Sequence, residues 1–316
     1  MIIEGILPLV GSFTDQVVLV TGASSGIGRE TALLFAQRGA RVALAARRRE
    51  LLEEEAAVVR DAGGAALVVP TDVTDAAAAR AAAARVRRAW GGIDVLVNNA
   101  GVLKPSPVAT MRAGDLEAML RVNLFGALFM SQAVLPGMER RGRGAIINVA
   151  SLAGRRGVTP LGGYCASKFA LIGLSEALRT EVDPARIHVG VVLPGVVETA
   201  MVRDLDQVAA LPEWPMALNM PPEWVAAAVA LAVRFRLHEV SVPPGAALLE
   251  EIAALAPGAT DVLIGWVQAA GRLLSTFSSP PSAVSPPRSG RRPRDRRRTA
   301  DTRAPDRTPP AGRRRR

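Results

Sequence analysis

The chain has 316 residues, 49% of them apolar and 4% aromatic, and carries a formal net charge of +10. That length can bury a large core in one or two domains, and its wealth of Ala, Val and Leu is the composition of a soluble α/β protein. The single Cys165 excludes an internal disulfide framework and fits a reducing compartment such as the cytoplasm.

The two histidines, His188 and His238, lack cysteine or carboxylate partners at metal spacing, so no metal site is expected. The positive charge is not spread over the chain. Residues 276–316 hold thirteen arginines and three aspartates, a balance of +10, which leaves residues 1–275 at zero. The core is therefore not expected to bind nucleic acid. Residues 1–10 are apolar, but Glu4 stands where a signal peptide wants positive charge, and no run of eighteen uncharged apolar residues occurs. Neither a secretory signal nor a spanning helix is expected.

In chain order, an apolar run at 16–20 predicts a strand leading into Thr21-Gly22-Ala23-Ser24-Ser25-Gly26-Ile27-Gly28, and a helical pattern then runs to Gly39. Strands at 41–46, 65–70 and 93–97 alternate with helices at 47–62 and 75–90. Residues 112–139 read as one long helix or a pair. A strand at 145–150, a helix at 164–182, a strand at 187–193, a helix at 222–236 and a strand at 239–242 complete the pattern. Short Val/Ile/Leu runs alternating with helices mean βαβ units and a parallel sheet. Residues 201–220, with Trp214 and several prolines, read as an irregular cover. Two short helical patterns follow, at 246–256 and 260–274, and from Ser275 the composition turns to Ser, Pro and Arg, that of a disordered tail.

Tyr164 and Lys168 stand four apart in the 164–182 helix and so share a face, pointing a phenol and an ammonium into one space. A neighbouring cation favours a phenolate, so Lys168 is expected to lower the pKa of Tyr164, the only tyrosine in the chain. Ser151, thirteen residues earlier at the end of an apolar run, adds a hydroxyl. Gly22-x3-Gly26-x-Gly28 lies between a strand and a helix, where glycines let backbone approach a pyrophosphate and the helix N-terminus offers unpaired N–H groups. The second strand ends without an acid, in Ala45-Ala46-Arg47-Arg48. An arginine there accommodates a 2′-phosphate, so NADP is expected, with NAD the alternative.

Together with Asp72-Val73, Asn98-Asn99-Ala100-Gly101, Asn123 and Pro194-Gly195, these motifs resemble the short-chain dehydrogenase/reductase family in its compact single-domain form, over residues 13–243. The resemblance implies a Rossmann-type doubly wound parallel sheet, and an enzyme moving hydride between a nicotinamide cofactor and a carbonyl or secondary alcohol. It implies Tyr164 as general acid–base, Lys168 lowering its pKa and holding the nicotinamide ribose, Ser151 bonding the reacting oxygen, and Asn123 anchoring a water that links Lys168 to solvent. The cofactor set it implies is Gly22, Ser24, Ser25, Gly26, Ile27, Gly28, Arg47, Arg48, Asp72, Val73, Asn99, Ala100, Gly101, Tyr164, Lys168, Pro194, Gly195, Val197 and Thr199. On the substrate side it implies Leu103, Val158, Thr159, Val196, Leu205, Leu211 and Trp214, mostly apolar, hence an apolar carbonyl or alcohol. Read from the residues alone, Asn123 also serves as a plain polar helix residue. Asn98 reads as structural, Cys165 as a packing residue and His188 as a satisfied histidine.

The expected organisation is an N-terminal extension (1–12), a Rossmann-fold domain (13–245), a C-terminal helical extension (246–274) and a disordered tail (275–316). The extension covers the domain's own surface, meets a second subunit, or lies on a membrane; a homodimer is expected, with peripheral membrane contact through 246–316 the alternative. Competing functions are a membrane-surface reductase of lipidic carbonyls and a non-catalytic NADP-sensing regulator that finds a partner through its basic tail.

Overall fold

The computed structural model describes residues 8–203 and 220–246, together with Leu255 and Gly258. The chain divides into Met1–Thr276 and Phe277–Arg316, the second lying wholly outside the described residues. The substrate-side positions Leu205, Leu211 and Trp214, the predicted helices at 246–256 and 260–274, and the basic tail also fall outside them, apart from Ala246 and Leu255.

The described strands are β1 (Val17–Thr21), β2 (Arg41–Ala46), β3 (Ala65–Pro70), β4 (Val95–Asn98), β5 (Gly144–Val149), β6 (Ile187–Pro194) and β7 (Glu239–Val242). They form a seven-stranded sheet in the order β3-β2-β1-β4-β5-β6-β7, every neighbour parallel. The helices are α1 (Gly26–Gln37), α2 (Arg49–Asp61), α3 (Ala76–Trp90), α4 (Ala113–Leu120), α5 (Gly126–Arg141), α6 (Gly162–Glu181), α7 (Ala200–Arg203) and α8 (Pro222–Phe235).

Local chemistry sets several of these ends. Asp75 caps α3 by accepting the Ala77 N–H at 2.7 Å, and Gly91, at φ +84°, ends it in the left-handed region that glycine enters without strain. Pro222 opens α8 at a position where its missing N–H costs nothing. The central strands read as unbroken apolar runs because both faces are covered. Ala226–Ala230, Phe35 and Leu52 lie in the core cluster on one face, and Val86, Met130, Val134 and Met138 in that on the other.

The 112–139 reading resolves into α4 and α5, joined without a break by a wider π-helical turn, Arg121–Phe125. The stretch Ala113–Arg141 is long and apolar enough to cross a membrane by length and composition alone, but here Met119, Met130, Val134 and Met138 are buried inside the fold. Strand order reverses between β1 and β4, so the connections leaving these strands diverge and open a crevice at their carboxyl ends.

Candidate active site

The loop after β1 is shaped by close approach. Gly22 sits at φ +66°, and a Cβ there would lie 2.9 Å from both the Ala100 Cα and the Asn99 Nδ2. At Gly28 a Cβ would lie 2.3 Å from the Gly22 carbonyl oxygen and 2.5 Å from Asn99 Nδ2, so no side chain fits. Gly26 faces Thr199, whose Cγ2 would be 3.1 Å from an added Cβ. Between them Ser24 and Ser25 stay accessible while Ile27 packs on the core. Ser25 precedes α1 in extended conformation and makes no side-chain cap bond, so no side chain competes for the first N–H groups of that helix. A bare glycine cradle ending in an uncapped helix N-terminus fits a pyrophosphate.

At the end of β2, Arg47 and Arg48 are exposed, and with Arg49 they put three cations at the start of α2, where the helix dipole disfavours them. No carboxylate of β2 answers them. Asp72, after β3, accepts from Thr74 N at 2.9 Å and Thr74 Oγ1 at 2.8 Å; these bonds first, then Arg47, hold its carboxyl below the usual range. Val73 is buried against Gly126.

Thr21 ties the glycine loop to the end of β4. Its hydroxyl donates to Val97 O and accepts from Asn99 N and Ala100 N, while Asn99 Nδ2 donates to Thr21 O at 3.0 Å. Just below, a buried polar chain crosses the sheet. Asn98 Nδ2 donates to Asn148 Oδ1 and to Ser131, and Asn148 Nδ2 donates to Ser175 Oγ at 2.7 Å. Asn98 is structural, as its sequence reading has it; Ser131, Asn148 and Ser175 carried no local signal that would have revealed them.

Asn123 lies in the π turn and is fully enclosed. Its Oδ1 accepts from Val102 N at 2.8 Å, and its Nδ2 donates to Val102 O and to Ser167 Oγ, both at 2.9 Å. Ser167 in turn donates to Tyr164 O at 2.7 Å. Both amide hydrogens are thus spent on bracing the loop after β4 against α6, and the side chain has no donor left for a water. Asn123 is more than the plain polar helix residue its neighbours suggest, and any hold on a relay water falls to its backbone.

Lys168 is buried and donates to Val149 O at 2.8 Å, its one hydrogen bond among the described residues out of three N–H donors. Its Nζ lies 5.7 Å from the Tyr164 ring centroid and would be 3.8 Å from a Cβ on Gly101. Burial brings the ammonium down to about 8. The Tyr164 side chain is only half-buried, yet the protein around it pushes its phenol up to about 12, with the neighbouring Ser151 hydroxyl pulling the other way. This direction is opposite to the sequence expectation. Lys168 sits behind the ring and spends one donor on Val149, so the lost hydration of the phenolate outweighs its charge.

Ser151 precedes a short 3₁₀ turn (Leu152–Gly154), accepts from Ala153 N at 3.1 Å and donates to Pro194 O at 3.3 Å. Pro194 ends β6. Gly195 N donates to Val242 O at 2.8 Å, and Val197 bridges to Met220, fixing the segment that carries Thr199 beside Gly26. Leu103 and Val158 are partly buried, and Thr159 is exposed. Ser106 N donates to Pro160 O at 2.8 Å, closing the loops that carry Leu103 and Thr159 onto each other. Cys165 is buried, its Sγ 3.4 Å from Val158 N, and burial raises its thiol. It is a packing residue.

A doubly wound sheet with a dinucleotide cradle and a Ser/Tyr/Lys cluster at the same edge defines an NAD(P)-dependent oxidoreductase. Residues 16–209 match the family model described as short chain dehydrogenase, and the chain belongs to the short-chain dehydrogenase/reductase family. It is 36% identical over 214 residues to 3-oxoacyl-(acyl-carrier-protein) reductase FabG of Thermotoga maritima, covering 67% of this chain and 87% of that one. It is also 39% identical over 184 residues to a sorbitol dehydrogenase of Cereibacter sphaeroides, covering 58% and 71%. A short-chain dehydrogenase/reductase from Burkholderia phymatum solved in complex with NAD superposes with a TM-score of 0.69 at 26% identity, over 76% of this chain and 93% of that one. Levodione reductase superposes with a TM-score of 0.67 at 30% identity, over 72% and 96%.

Proposed function

We propose that the protein is an NADP-preferring carbonyl reductase or alcohol dehydrogenase in which Tyr164 is the general acid–base. The observation that carries this is the Tyr164 phenol, set beside the Ser151 hydroxyl and backed by a buried ammonium that among the described residues donates only to Val149 O. When bound, the nicotinamide cofactor supplies or accepts the hydride. Gly22, Ser24, Ser25, Gly26, Ile27 and Gly28 hold its pyrophosphate, Asp72 and Val73 flank the adenine, and Asn99, Ala100 and Gly101 line the path between. Pro194, Gly195, Val197 and Thr199 close over the nicotinamide end, and Lys168 holds the adjoining ribose. Arg47 and Arg48 take the 2′-phosphate, whose charge adds to that of Glu50 in offsetting the three arginines at the start of α2.

In the reductive direction Ser151 orients the substrate oxygen and Tyr164 gives it a proton. A phenol near 12 is fully protonated at neutral pH and ready to act as the acid. Leu103, Leu152, Val158, Val196 and Met220 make the substrate side apolar, which suits an apolar ketone or the acyl chain of a 3-oxoacyl thioester, the substrate type named for the Thermotoga relative. We place the enzyme in the cytoplasm as a homodimer, with its domain at 13–245.

The decisive experiment follows NADPH and NADH oxidation across ketones, aldehydes, steroids and 3-oxoacyl thioesters. Turnover of at least one apolar carbonyl with NADPH favoured about 10- to 100-fold is expected, the worth of one charge-assisted phosphate bond. No turnover of any of them with either cofactor would defeat the reading.

A further inference from the structure

Ser151 has to be held at one distance from Tyr164, yet it stands on a three-residue turn between a strand and a long loop. That turn lies flush on α6. Gly154 N bonds Ser151 O at 2.9 Å, and a Cβ on Gly154 would lie 3.0 Å from the Lys168 carbonyl carbon and oxygen. At its end Arg155 reaches away from the site. Its Nη2 pairs closely with Glu239, the first residue of β7, and stands 3.6 Å from Glu176 on α6. Its side chain and that of Glu239 are only 26% and 27% exposed, so water screens the pair weakly. The other end of β7 holds Gly195 through Val242 O, and Leu152 of the same turn faces Gly195, its Cδ1 3.4 Å from where a Cβ would stand.

We propose that Arg155 is a positioning residue, which with Glu239 clamps the Ser151 turn to β7 and so sets Ser151 against Tyr164. The claim rests on the catalytic reading of Ser151 and Tyr164 given above. Nη2 meets both carboxylates, Glu239 by a hydrogen bond and Glu176 by charge at 3.6 Å, so the guanidinium ties the turn to β7 and draws it toward α6. Ser151's own bond to Pro194, at 3.3 Å, is long and cannot do so alone. Among the described residues no hydrogen bond or ion pair joins Arg155 to the cradle, so its effect falls on the proton-transfer geometry and not on cofactor affinity.

The test uses the single tyrosine of the chain. With ¹³Cζ-tyrosine incorporated, Tyr164 gives one resonance, and Ser151→Ala marks its position once the Ser151 hydroxyl is gone. In Arg155→Ala and in the near-isosteric Glu239→Gln, the resonance is expected to move toward the Ser151→Ala position, with Arg155→Lys between them and wild type. kcat is expected to fall on the order of 10-fold, since small misplacements are costly, while the NADPH dissociation constant stays at its wild-type value. A resonance unmoved in both Arg155→Ala and Glu239→Gln overturns the proposal, as does an equal loss of NADPH binding. Because the resonance needs no turnover, a wild-type enzyme inactive on every carbonyl would sink the functional reading and still leave the clamp decided.

Discussion

In the proposed mechanism, Tyr164 is where the chemistry hangs on a single atom. Tyr164→Phe keeps the ring and removes only the proton donor, so carbonyl reduction is expected to drop by about 10²- to 10⁴-fold, read as kcat, with cofactor affinity retained. Lys168 gives the accompanying pH signature. It is charged below about 8 in the free protein and neutral above, so kcat/KM for reduction is expected to be flat at lower pH and to decline as pH rises through that value. A profile flat to pH 10 would remove Lys168 from the proton path. Gly28→Ala is a steric test of the cradle, because its Cβ would strike the Gly22 carbonyl, which is backbone and has nowhere to go. NADPH fluorescence titration of a folded Gly28→Ala protein is expected to show lost binding.

The placement of these residues was legible in local spacing, with Tyr164 and Lys168 one helical turn apart and Gly28 just past a strand. The direction of the Tyr164 shift was not, since one helical turn shows where the cation stands but not how much protein surrounds the phenol.

At the scale of elements, the β6–β7 edge holds an acid-sensitive group. His188 lies buried on β6, its ring 5.8 Å from that of His238, bonded to the Leu237 and Ala232 backbone but with Nε2 lacking a partner among the described residues, so it is only partly the satisfied histidine of the sequence reading. Burial, then Arg236 and His238, bring its imidazole down to about 4. Between the ordinary value near 6.5 and about 4, the unfolded chain binds a proton that the native chain refuses, so stability is expected to fall as pH drops through that window. The total is at most about 3 kcal/mol, and His188→Val should flatten the acid limb in urea unfolding at pH 4.5 and 7.

The strands followed from apolar runs, and the end of α1 from Gly39, which sits at φ +89° just past it. The Asn98–Asn148 and Arg155–Glu239 pairs did not, because their members are 50 and 84 positions apart and meet only once the sheet has its order. Nor does any residue pattern announce the π turn that turns Asn123 inward.

For the whole molecule, charge and association separate cleanly. The tail carries the entire excess of +10, so a chain ending at residue 275 is expected to lose retention on a cation exchanger while keeping kcat/KM. Loss of activity on truncation would tie the tail to the site. Phe125 in the π turn and Phe169 on α6 each leave 43% of their surface exposed, apolar side chains that a second copy of the chain would cover. Sedimentation is expected to give a dimer that Phe169→Glu weakens, and a stable tetramer would remove the idea of a dimer alone. One further consequence follows from Gly28, whose narrow space is bounded by Gly22 on one side and by Asn99, 71 positions along the chain, on the other. The nucleotide loop therefore has no finished shape in the first βα unit by itself. It closes only when β4 has docked beside β1, so nucleotide binding during synthesis has to wait until residue 99 and its strand have left the ribosome.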